Sequence, residues 1–151
     1  MEFRAISDED IDYMKEHSST PEFYKQIPEE TEFSYALVHD DKTLVVGGFR
    51  LMNKTTCVNW FDISDVGYKN IVQVVRTIKE WSEGYTDKDG KHHVGFYEMM
   101  GILRAEAYVR SGHLEGERFV KHFDFTHERV VLKYFGEDPA NLFVKFFDHG
   151  E

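Results

Sequence analysis

Glu106 lies in the run Arg104-Ala105-Glu106-Ala107-Tyr108-Val109, where polar and small apolar residues alternate. A period of two marks a strand over 103–109, with Leu103, Ala105, Ala107 and Val109 on one face and Arg104, Glu106 and Tyr108 on the other. A carboxylate on that polar face can take a proton from an amine through water, as a general base. The structural use of the same group is an ion pair with Arg104 or Arg118. His92 and His93 beside Asp87 and Asp89 offer metal-ligand types. Adjacent strand residues point to opposite faces, however, so they make poor co-ligands. His113, His122 and His127 are spaced too loosely to define a site, and no metal is expected. Cys57 has no activating motif and reads as a small buried hydrophobe. Trp60 and Phe61 read as core.

The elements that position these residues follow from periodicity. A first strand spans 2–6. Ser7 then caps a helix, with Asp10 three residues on at capping-box spacing; Ile11 and Met14 give it an apolar side. Pro21 stops it near Ser18, and Phe23, Tyr24 and Ile27 suggest a second short helix. Strands over 33–39, 43–50 and 55–63, joined by turns at 39–42 and 52–54, form a meander. Ile71, Val74, Val75, Ile78 and Trp81 recur at helical spacing, which predicts a helix over 67–82. The segment 94–100 reads as a helical turn or as the lead-in to a strand. A short helix over 114–123, a strand over 127–135, a turn at 138–141 and a last strand over 142–147 complete the chain. The fold class is α/β (α+β): a mixed, mainly antiparallel sheet of about seven strands with three or four helices.

A chain of 151 residues suits a single domain, 1–151, with a real core. Its 41% hydrophobic and 15% aromatic content exclude a disordered chain. The net charge of −10 predicts no direct nucleic-acid contact. The densest basic groups, around Lys91 and Lys121, are interleaved with carboxylates. No signal peptide opens the sequence, and no apolar run reaches the roughly 20 residues of a membrane span. One cysteine allows no internal disulfide and points to a reducing compartment.

The order strand, helix, meander, long helix, strand, short helix, strand resembles the GCN5-related N-acetyltransferase family. The likeness is most specific over 102–128, in Ala107-Tyr108-Val109 and Gly116-Glu117-Arg118-Phe119-Val120-Lys121-His122-Phe123-Asp124-Phe125-Thr126-His127-Glu128. An Arg-aromatic pair in that helix resembles a variant found among small proteins of tailed bacterial viruses, some of them internal virion or core proteins. The resemblance implies that acetyl-coenzyme A would lie where the 55–63 and 102–109 strands splay. Phe61, Asp62 and Ile63 would pair with its pantetheine arm. The helix start at Gly67, Tyr68, Lys69 and Asn70 would face its pyrophosphate, since N–H groups there suit an anion.

The chain departs from the family pattern within these segments. The family's pyrophosphate loop reads Gln or Arg, two residues, Gly, one residue, then Gly or Ala. Here Asp62-Ile63-Ser64-Asp65-Val66-Gly67-Tyr68-Lys69-Asn70 offers one glycine and two aspartates, with Ser64 or Asp65 as a helix cap. Lys69 offsets only part of that charge. Val120 stands where many members place a tyrosine that protonates the leaving thiolate. Asp124 replaces a turn glycine, a substitution that turn geometry tolerates. These departures predict a non-catalytic member without a cofactor. It would act by contact with a viral or bacterial host protein, in the virion or the host cytoplasm. The aromatic last strand, with Phe143, Phe146 and Phe147, suits assembly or a homo-oligomer. The alternative is acetyl transfer from acetyl-coenzyme A to an amine, with Glu106 as base.

Overall fold

The computed structural model describes residues 1–19 and 33–149. The short helix expected at Phe23, Tyr24 and Ile27 lies outside them. The described elements are β1 (Glu2–Ala5), α1 (Asp8–His17), β2 (Phe33–His39), β3 (Lys42–Leu51), β4 (Thr56–Ile63), α2 (Asp65–Lys69) and α3 (Ile71–Glu83). Then come β5 (Tyr85–Thr86), β6 (His92–His93), α4 (Phe96–Met100), β7 (Arg104–Arg110), α5 (Leu114–Lys121), β8 (Thr126–Phe135) and β9 (Asp138–Phe146). Seven strands form a mixed sheet in the order β1-β2-β3-β4-β7-β9-β8, and β5 and β6 make a separate pair. The chain divides into two compact units. The first holds Met1–Arg50 and Trp60–Ile78; the second holds Leu51–Asn59 and Lys79–Glu151.

In the first unit the capping box forms as the spacing predicts. The Ser7 side chain accepts the Asp10 N–H, and the Asp10 carboxylate accepts the Ser7 N–H at 2.9 Å. Asp10 is buried, and it also accepts two bonds of 2.8 Å from Arg4 and one of 2.8 Å from Thr43. These bonds tie α1 to β1 and β3 and offset the cost of a buried charge. The helix packs Met14 against Ala36 and Val46, with Tyr13, Val38 and Trp60 around them. It ends at Ser18, whose backbone is extended. The β2–β3 hairpin turns on Asp40 and Asp41, both with positive φ (50° and 60°), the pair of left-handed residues that a tight hairpin requires.

The helix expected over 67–82 is two helices. A one-turn α2 ends at Asn70, whose side-chain amide donates to the Val66 carbonyl at 2.9 Å, and α3 begins at Ile71. Asn70 leaves helical geometry (φ −116°, ψ 28°), because an asparagine side chain competes for backbone partners. Val74 and Ile78 are buried as the stripe predicts.

In the second unit β4 pairs in parallel with β7, from Thr56–Arg104 to Asn59–Ala107. β9 pairs antiparallel with β7 and with β8. The ambiguous 94–100 segment is helix α4, closed by Gly101 at φ 68°. Such a left-handed cap favours glycine. Asp124 adopts φ 63°, a left-handed turn conformation that aspartate tolerates. The turn expected at 138–141 lies instead at Gly136 and Glu137, where Gly136 supplies φ 66°, and β9 starts at Asp138. Leu103 precedes β7 and is exposed, so it does not join the face of Ala105, Ala107 and Val109. In the last strand Phe143 is buried and Phe146 is 65% exposed. No helix among the described residues is long and apolar enough to cross a membrane.

Candidate functional site

In the second unit, alternation along β7 puts Glu106 on the half-buried face with Arg104 and Tyr108. Arg104 settles the ion-pair question. Its Nε donates to Glu106 at 2.7 Å, and its two terminal nitrogens donate to Glu128 at 2.9 and 2.7 Å. The Tyr108 hydroxyl lies 3.3 Å from the other Glu106 oxygen, and its ring stacks on Tyr134 at 4.2 Å. The hydrogen bonds that Arg104 donates to Glu128 and Glu106 hold its guanidinium charged, with its pKa raised. The same contact from Arg104 lowers the pKa of the Glu128 carboxyl. Glu106 is thus fixed by hydrogen bonds at both of its oxygens. Sequence reasoning does not place Glu128 in this cluster. A register shift between His127 and Arg129 sets its position, and strict alternation cannot foresee that shift.

The residues assigned to the coenzyme lie in the first unit. Asp62 is 8% exposed; it accepts the Ser18 hydroxyl at 2.6 Å and the Ile63 N–H at 3.0 Å. Ile63 is core, and Phe61 is half-buried. Ser64 is the α2 cap. Its hydroxyl accepts the Gly67 N–H at 3.1 Å and donates to the Thr43 carbonyl at 2.7 Å. Asp65 accepts the Val66 N–H at 2.8 Å and pairs with His17 at 3.3 Å. Partial desolvation pushes the Asp65 carboxyl up, but the Val66 and His17 bonds outweigh it, and its pKa lies below the ordinary value. The Tyr68 N–H donates to the Ser64 carbonyl at 3.0 Å. Lys69 is exposed in the last turn, and Asn70 ends α2.

The start of α2 therefore does not fit the coenzyme's diphosphate. The N–H groups of Val66, Gly67 and Tyr68 are bonded from within, Asp62 and Asp65 flank the Ser64 cap in the chain, and Gly67 is buried. A methyl group on Gly67 would sit 2.3 Å from the Leu44 carbonyl oxygen. The glycine that the resemblance assigns to phosphate instead lets α2 approach β3.

Val120 is buried in α5. Cys57 is buried, and burial, with Glu106 adding to it, pushes its thiol up to about 12, so it is not a nucleophile at neutral pH. His92 pairs with Glu98 and His93 with Asp87, each at 2.9 Å. Among the described residues no group of histidine, cysteine and carboxylate side chains could hold a metal ion. A shallow cavity of about 440 Å³ in the second unit, bordered by His92, Glu98, Asp148 and His149, contains none of the expected site residues.

No protein-family model matches the chain. No curated protein sequence matches it either. Solved structures do. The ribosomal-protein-S18-alanine N-acetyltransferase of Escherichia coli covers 99% of this chain and 96% of its own at 8% identity, with a TM-score of 0.61. A spermidine N-acetyltransferase chimera from Vibrio cholerae and hSSAT covers 97% and 96% at 10% identity, with a TM-score of 0.63. An acetyltransferase of the GNAT family from Bacillus anthracis covers 95% and 93% at 12% identity, with a TM-score of 0.64. At these identities the likeness establishes fold alone: the chain has the mixed α+β fold of the GCN5-related N-acetyltransferases along nearly its whole length.

Proposed function

We propose that the chain is an N-acetyltransferase that moves an acetyl group from a thioester donor, acetyl-coenzyme A in its relatives in fold, to an amine. One observation carries this reading: a ribosomal-protein-S18-alanine N-acetyltransferase and a spermidine N-acetyltransferase share this fold over 97% or more of the chain. Glu106, which accepts hydrogen bonds from Arg104 and Tyr108, is the group that takes the amine's proton through water. The bound thioester supplies the activated acetyl group, and the start of α2 does not hold its diphosphate. The test is thiol release from acetyl-coenzyme A with a panel of peptide N-termini, polyamines and amino sugars. Amine-dependent release that disappears in Glu106→Gln supports the reading, and no release from the folded protein overturns it.

A second reading is favoured by Val120 and α2. Val120 has no proton to give, and the Val66, Gly67 and Tyr68 N–H groups are taken. On this reading the chain is a scaffold that binds no coenzyme and acts by contact with a viral or bacterial host protein, in the virion or the host cytoplasm. Calorimetry separates the two. A Kd for acetyl-coenzyme A below about 100 μM, equivalent to about −5.5 kcal/mol, rules the scaffold reading out.

A further inference from the structure

We infer that the start of α2 excludes a diphosphate, so that this chain recognises an acyl thioester donor without its nucleotide end. The second half of the statement rests on the transferase reading; the first half stands on geometry alone. A helix start attracts phosphate because its first N–H groups lack partners. Here Val66 N–H is bonded to Asp65, Gly67 N–H to the Ser64 hydroxyl and Tyr68 N–H to the Ser64 carbonyl.

The internal partners are themselves anchored. Ser64 is fully buried, and its hydroxyl also donates to the Thr43 carbonyl. Turning it away would leave a buried acceptor and a buried N–H unsatisfied. Its own N–H is bonded to the Leu44 carbonyl at 2.9 Å, and Ser18 forms an isolated bridge with Ser64. Asp62 is held by the Ser18 hydroxyl and Asp65 by His17, whose ring stacks on Tyr13 at 4.1 Å. The end of α1 thus fastens both carboxylates in place beside the helix start.

Charge and shape act in the same direction. A diphosphate would approach two aspartates, opposed by the exposed Lys69 and by His17 when protonated. Like charges brought close without intervening water repel strongly. Gly67 cannot lend its small size to a phosphate, because the space that a side chain would fill is occupied by the Leu44 carbonyl and the Ile63 side chain.

The test uses the wild-type chain with three probes: acetyl-coenzyme A, acetyl-pantetheine and 3′-phospho-ADP. Transfer to an amine should proceed from the first two with kcat/KM values within about threefold, and millimolar 3′-phospho-ADP should neither inhibit nor raise the melting temperature. A preference of about tenfold or more for acetyl-coenzyme A, or competition by 3′-phospho-ADP, overturns the inference. If neither thioester donates, the transferase reading fails. The melting assay with 3′-phospho-ADP then still decides the exclusion. Asp65→Gly, at an exposed position, frees the Val66 N–H and removes one charge, so 3′-phospho-ADP should gain a measurable melting shift. No gain overturns the role given to Asp65.

Discussion

Gly67 and Leu44 approach each other so closely that a Cβ on Gly67 would meet the Leu44 carbonyl oxygen at 2.3 Å and the Ile63 side chain at 2.6 Å. A backbone carbonyl in a sheet cannot yield as a flexible side chain can. Gly67→Ala should therefore destabilise the protein by about 1–3 kcal/mol, an overpacking cost. Chemical denaturation with unchanged slope is the check. A variant as stable as the parent would show that α2 is free to move off β3.

Asp10 is buried and bonded to Arg4, Ser7 and Thr43. Asp10→Ala leaves those donors without their acceptor and removes half of the capping box. The expected loss is about 3 kcal/mol. Thermal or denaturant melts measure it. A loss below about 1 kcal/mol would mean that water replaces the carboxylate.

Glu106→Gln keeps the size of the side chain and an oxygen for Arg104 but removes the basic oxygen. If Glu106 accepts the amine's proton, kcat should fall about 100-fold or more with little change in melting temperature. A full rate in this variant would return Glu106 to a purely structural role beside Arg104.

Asp87, Asp124 and Glu128 have lowered carboxyl pKa values, owing first to hydrogen bonds from His93, Lys79 and Arg104 respectively. A carboxyl whose folded pKa is depressed stabilises the fold above its unfolded pKa, and that stability is lost as pH falls through the folded value. The melting temperature should hold steady down to about pH 5 and drop below about pH 4. These groups are exposed, so added salt should shrink the drop. Melts across this range at low and high salt provide the measurement.

Cys57 is fully buried on β4, with its thiol pushed up to about 12. The native protein should resist alkylation at about pH 8, and the denatured chain should expose its one thiol. A mass shift in the native state would show that β4 opens.

Local chemistry was enough to read the capping box of Ser7 and Asp10, the alternating faces of β7, the stripe of α3 and the tolerance of Asp124 for a turn. Each depends on residues a few positions apart, where backbone geometry alone sets which groups meet. Other features needed distant segments. Which arginine holds Glu106, and that Glu128 joins it, depends on a register shift in β8 some 20 residues away. The break at Asn70 and the one-turn α2 lie just before the apolar period that begins at Ile71, and that period does not show where the helix starts. Above all, Gly67, which the family resemblance assigns to phosphate, is in the fold a contact point for Leu44. A residue's type sets which interactions it can make. Only the folded backbone, by deciding which carbonyl or hydroxyl reaches a given N–H first, settles which one it does make.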